Sequence, residues 1–146
     1  MTIMRMDNMG IVVHDLDEAV DFFVDLGLEL EGRADIEGEW AGKVTGLGDQ
    51  HVRIAMMRTP DGHSRLELSQ FIRPVVVDDH RTAPVNSLGY LRVMFTVADI
   101  DETLSRIKAR GGQLVGDLVR YQDSYLLCYI RAPFGLLIGL AQELAE

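Results

Sequence analysis

The alternation of apolar and polar positions divides the chain into two similar halves. Residues 9–32, MGIVVHDLDEAVDFFVDLGLELEG, align without a gap on residues 93–116, VMFTVADIDETLSRIKARGGQLVG, at an offset of 84. Ile11 and Val13 match Phe95 and Val97, Asp15-Leu16-Asp17-Glu18 matches Asp99-Ile100-Asp101-Glu102, and Gly27 and Gly32 match Gly111 and Gly116. A second echo sets Arg58-Thr59-Pro60-Asp61-Gly62 against Arg131-Ala132-Pro133-Phe134-Gly135 at an offset of 73, so the second copy is shorter in its middle. Two echoes in the same order point to an internal duplication.

Each copy predicts the same succession of elements. Residues 8–13 and 91–97 are short, β-branched and apolar, which suits a strand. Asp15 and Asp99 then stand where a helix begins, with Glu18 and Glu102 three residues on in the manner of a capping box. Ala19, Val20, Phe22, Phe23 and Leu26 form one helical stripe, Leu104 and Ile107 its counterpart, and Gly27 and Gly111 mark the helix ends. Three strands follow in each copy, near 28–36, 51–58 and 64–72, then near 113–121, 124–131 and 136–143, with Asp61-Gly62 as a tight turn. The unit is βαβββ used twice, an α+β class. It makes one domain over 1–146, with module 1 at about 5–72, a linker at about 73–89 and module 2 at about 90–144.

Alternation along the strands assigns Ile11, Val13, Leu66, Leu68, Val93, Phe95, Val97, Ile138 and Leu140 to the face under the helices. The other face carries Asn8, Gly10, Glu67, Arg92, Thr96 and Gly139, and a polar inner face on curved paired sheets is where a ligand is expected. Tyr125 and Tyr129 share a face with each other; Trp40 is a candidate for an apolar wall, and Met56, Met57 and Met94 read as core residues first and as pocket lining second.

Charge and motifs narrow the chemistry. A net charge of −9 lacks the footprint that phosphate-backbone binding needs, which excludes nucleic acid. Cys128 has no partner for an internal disulfide and fits a reducing cytoplasm; within an apolar strand it reads as an inert core thiol. Gly10, His14, Asp15 and Asp17 interrupt the N-terminal apolar stretch, so neither a signal peptide nor a membrane span is expected. His14, His51, His63 and His80 show no metal-ligand spacing, and Asp78-Asp79-His80 reads as a solvated linker turn. Gly38-Glu39-Trp40-Ala41-Gly42-Lys43-Val44 is too short for a phosphate loop and has Val44 in the hydroxyl position.

The segments MDNMGIVVHDLDEAVDFFVDLGLEL, RLELSQF and DSYLLCYIRAPFGLLIGLAQ give the chain a resemblance to the vicinal oxygen chelate superfamily of glyoxalase I, methylmalonyl-CoA epimerase, fosfomycin and bleomycin resistance proteins and extradiol dioxygenases. The resemblance implies two βαβββ modules forming a curved mixed sheet around a cavity. It also implies four metal-ligand positions, which fall here on Asn8, Glu67, Arg92 and Gly139; the repeat offset independently maps Asn8 onto Arg92. Only Glu67 is a good ligand. An amide oxygen, a guanidinium and a glycine do not hold a transition metal, so no metal and no cofactor are expected.

The resulting expectation is a metal-free, bleomycin-resistance-like protein that binds a small organic molecule, anions preferred. Asn8, Glu67, Arg92, Tyr125 and Tyr129 are its binding residues, Glu67 pairs with Arg92, and Gly139 makes room for the arginine. The alternative is a lyase or isomerase resembling glyoxalase I or methylmalonyl-CoA epimerase, with Glu67 as base and Arg92 stabilising an enolate. A homodimer is expected from open sheet edges and from surplus apolar residues, namely Phe22-Phe23 and the tail Leu140-Ala141 to Leu144-Ala145.

Overall fold

Twelve elements order the chain in the computed structural model, which describes residues 2–144. The first six are β1 (Met9–Val12), α1 (Leu16–Leu26), β2 (Glu29–Gly38), α2 (Glu39–Thr45), β3 (Gln50–Arg58) and β4 (Arg65–Arg73). The second six are β5 (Val93–Thr96), α3 (Ile100–Ala109), β6 (Gln113–Leu114), β7 (Val119–Tyr121), β8 (Tyr125–Arg131) and β9 (Leu137–Glu143). They fall into two compact units, one ending at Asp78 and the other beginning at Asp79. The class is α+β, with one mixed sheet per unit.

The first sheet runs β1-β4-β3-β2, with β1 parallel to β4 and the remaining pairs antiparallel. The second runs β5-β9-β8-β6, again with its first strand parallel to its last, and β7 also pairs with β8. The parallel pairing explains the helix in each repeat, since parallel neighbours need a crossover and α1 and α3 begin directly after β1 and β5.

Both helices start as their sequences predict. The Asp15 carboxylate accepts from the Glu18 N–H at 3.1 Å, and Asp99 accepts from Glu102 N–H at 3.1 Å. A second device is not visible in the local sequence. Gln70 Oε1 on β4 accepts from the Leu16 N–H at 2.8 Å, and Gln142 Oε1 on β9 accepts from the Ile100 N–H at 2.9 Å. Each last strand therefore satisfies one of the first N–H groups of its own unit's helix, which have no partner inside the helix.

The cores lie between helix and sheet. In the first unit α1 buries Leu16, Ala19, Val20, Phe22 and Phe23 against β3 and β4, where Ala55, Met57, Leu66 and Leu68 are also buried. In the second, α3 packs on β9 through Ile100, Leu104 and Ile107, and Ile138 and Leu140 are buried. The Phe22 and Phe23 rings meet edge to face at 5.3 Å and are 1% and 0% exposed. This corrects the expectation that they offer an intersubunit surface: they are core, as are Leu140 and Ala141. Ala145 lies outside the described residues.

Two elements depart from the sequence reading. The strand expected over 113–121 is split into β6 and β7 by a bend at residues 115–118, where Gly116 and Asp117 are poor strand formers. Most of the loop-like stretch 38–44 lies in α2 (Glu39–Thr45), a seven-residue helix with no apolar period to announce it. Its Gly42 packs against the Gly48 carbonyl with no room for a Cβ. The linker portion of the second unit is tied down by Arg131, whose guanidinium donates to the carbonyls of Arg81 (3.0 Å), Ala83 (2.6 Å) and Gly135 (2.9 Å). Among the described residues no helix is long and apolar enough to cross a membrane.

Candidate functional site

In the first unit the register puts Glu67 between Gly10 on β1 and Met56 on β3. Its neighbours Leu66 and Leu68 are buried toward α1, so Glu67 stands on the helix-free face, as alternation predicts. Glu67 is half-buried and has no hydrogen bond or ion pair within its unit among the described residues. Two residues away, Arg65 is occupied by Glu31 at 2.8 Å, and that hydrogen bond holds the Glu31 carboxyl below the usual range. Asn8, just before β1, is half-buried and donates from Nδ2 to Asp7 Oδ2 at 3.0 Å.

In the second unit the helix-free face is organised around Gly139. The register sets Gly139 between Met94 on β5 and Tyr129 on β8. Arg92, two residues before Met94, donates from Nε to the Tyr129 hydroxyl at 2.9 Å, and its guanidinium carbon lies 5.2 Å from the Tyr129 ring centre. The Nη1 and Nη2 edge has no partner within this unit among the described residues. A Cβ on residue 139 would stand 2.8 Å from Met94 Cε and 3.0 Å from Tyr129 Cε1. The space left by the missing side chain is thus taken by Met94 and Tyr129, which corrects the expectation that it accommodates Arg92 itself.

Tyr129 also lines a concavity of about 360 Å³ with Met94, Val115, Val119, Leu127 and one acid, Asp117. Tyr125 shares this face by alternation but lies four residues along β8, roughly 13 Å away, at the end of the strand opposite Tyr121 and Glu143. A second hollow of about 400 Å³ includes Arg81 and Arg131, yet neither cation is free for a ligand. Arg81 is bound to Asp79 at 2.7 Å, and Arg131 is spent on backbone carbonyls.

The remaining reactive side chains are elsewhere. Cys128 is buried opposite Leu140, and burial pushes its thiol up, so it is a poor nucleophile at neutral pH. His51 sits on β3 with Nε2 3.4 Å from Asp35 and Nδ1 4.0 Å from Glu37, and its buried Nε2 makes no hydrogen bond among the described residues. His14, His63 and His80 are exposed, as is Trp40 on α2, which is 61% exposed and lines neither hollow.

A metal does not fit the donor set. Of the four positions that the resemblance assigns to a metal, the first unit supplies the Asn8 amide and one carboxylate; the second supplies a cation and a glycine. Arg92 is held in place by Tyr129, so a divalent ion at that position would meet a fixed positive charge. Among the described residues there is no cluster of three or more His, Cys, Asp or Glu able to hold an ion.

Comparison with known proteins places this geometry. The chain is 64% identical to a glyoxalase family protein from Bacillus cereus whose crystal structure superposes with a TM-score of 0.96, covering 99% of this chain and 97% of that one. A mutant of glyoxalase I from Zea mays shares the fold at 17% identity and TM-score 0.69, over 97% of this chain and 45% of that one. The fosfomycin resistance protein FosX from Listeria monocytogenes shares it at 15% identity and TM-score 0.62, over 95% and 93% of the two chains. No curated protein matches at a significant level. The family model of the Glyoxalase/Bleomycin resistance protein/Dioxygenase superfamily matches residues 5–140, nearly the whole chain, and the chain belongs to that superfamily.

Proposed function

We infer that this protein binds a small organic anion without a metal, and that Arg92 is the group that recognises it. The observation that carries this reading is the state of the Arg92 guanidinium. One N–H is fixed by Tyr129, the other edge has no partner in its unit, and Tyr129 continues into an apolar hollow. A cation bonded to a tyrosine that lines an apolar concavity favours a molecule with an anionic end and an apolar body. Glu67 and Asn8 supply further polar groups on the sheet of the first unit, and Tyr125 extends the aromatic surface of the second. Cys128, a single buried thiol, suits a reducing cytoplasmic setting.

A second reading is favoured by Glu67. A half-buried carboxylate with no partner in its unit among the described residues is available as a general base for proton abstraction from a bound molecule. The two readings separate on whether a bound molecule is returned intact or altered.

Native mass spectrometry of the purified protein, with elemental analysis alongside, tests the reading. The expected result is less than one tenth of an equivalent of divalent metal per chain. Any retained small molecule should be acidic and leave unchanged in mass. One equivalent of metal per chain would contradict it. The same spectrum tests the proposed homodimer, whose case rests on the edge strands of each unit's sheet because the phenylalanine pair is core.

A further inference from the structure

We propose that Tyr129, seated over Gly139, positions Arg92 for an organic monocarboxylate whose apolar body lies against Met94, Val119 and Leu127. This rests on the anion-binding reading above and specifies its ligand class. A guanidinium has five N–H donors in one plane, and Tyr129 takes the one on Nε. What remains is the Nη1/Nη2 edge, two parallel donors whose spacing matches the two oxygens of a carboxylate. An arginine already held at Nε loses less rotamer freedom when it closes on a ligand, so anchoring raises affinity without adding a ligand contact.

Gly139 is what lets Tyr129 reach. Its backbone is not in the left-handed region that demands glycine, so the residue is glycine for space alone. With Met94 Cε at 2.8 Å and Tyr129 Cε1 at 3.0 Å from the place of a Cβ, any larger residue pushes the ring or the thioether aside. The position that the resemblance assigns to a metal ligand is here the floor on which a tyrosine holds a cation.

The walls set the rest of the ligand. Met94, Val115, Val119, Leu127 and the Tyr129 ring offer no strong polar partner to the ligand's body, while Asp117 repels a second acid group. A monoacid with an unbranched or aromatic body therefore fits better than a diacid. Hexanoate, adipate and hexanamide are suitable probes of charge and of the far end.

The test is a titration of ¹⁵N-labelled protein with these three probes, following backbone amides and the Arg92 Nε–H resonance, in wild type, Tyr129→Phe and Gly139→Ala. The wild type is expected to bind hexanoate at least fivefold more tightly than hexanamide or adipate. Tyr129→Phe keeps the ring and removes the hydroxyl. It should weaken hexanoate about fivefold, leave hexanamide unchanged and shift the Arg92 Nε–H signal. Gly139→Ala should move both readouts in the same direction. Equal weakening of hexanoate and hexanamide, or an unmoved Arg92 signal with full hexanoate affinity in Tyr129→Phe, overturns the positioning role while sparing the anion reading. A wild type indifferent between hexanoate and hexanamide overturns both.

Discussion

Gly42→Ala is expected to cost about 3 kcal/mol of stability, at the upper end of what overpacking does, and to lower Tm by roughly 6–12 °C for a chain of this size. The reason is backbone against backbone. A Cβ on residue 42 would coincide with the carbonyl of Gly48, and neither group has a rotamer with which to yield. Relief requires α2 to tilt or the 46–49 loop to shift, and the loop is committed. Gly46 caps α2 through its N–H to the Gly42 carbonyl at 2.8 Å, and Gly46 and Gly48 both hold positive φ. Just beyond, the Thr45 hydroxyl is bonded to the buried Gln50 at 2.6 Å. Gly32→Ala is the control, since a Cβ there meets nothing within 4 Å and should change stability by less than about 0.5 kcal/mol. Thermal melts of the two variants decide the matter: similar shifts would show that the close approach is not there.

Arg92→Ala is expected to weaken hexanoate at least tenfold and to leave hexanamide binding unchanged. A charge-assisted, two-pronged contact to a carboxylate is worth more than a neutral hydrogen bond, although Arg92 is exposed to solvent and its contribution is screened accordingly. Stability should hardly move, because among the described residues Arg92 makes one side-chain hydrogen bond, to Tyr129, at the edge of a sheet. Arg92→Lys should recover only part of the affinity. A lysine keeps the charge but loses both the fork and the geometry that binds Nε to the tyrosine. Affinities by NMR titration check both variants, and an Arg92→Ala protein that keeps its preference for hexanoate would remove Arg92 from the site.

How far the sequence carried these conclusions depended on periodicity. The duplication was legible because the strand–helix opening of each copy repeats at fixed spacing, and the two aspartate caps act locally, within three residues. The register of Glu67 and of Gly139 was legible because alternation of period two needs only one buried neighbour to set the faces. Three things were not. The glutamines that cap α1 and α3 act across 54 and 42 residues, so nothing near either helix announces them. Helix α2 has seven residues, one of them glycine, and is fixed by Gly42 meeting Gly48 rather than by an apolar stripe. Alternation sets Tyr129 on one face with Tyr125, but its bond to Arg92 depends on a side chain leaning over the empty Gly139 position, which only the cross-strand register reveals.

The measurement that bears most directly on a metal-independent anion site is the hexanoate titration carried out twice on one preparation, first after exhaustive treatment with a chelator and then with added Zn²⁺ or Ni²⁺. The donor set of Asn8, Glu67, Arg92 and Gly139 predicts the same dissociation constant in both, with hexanoate preferred over hexanamide throughout. Hexanoate binding that emerges only with the metal, at one ion per chain, would contradict it.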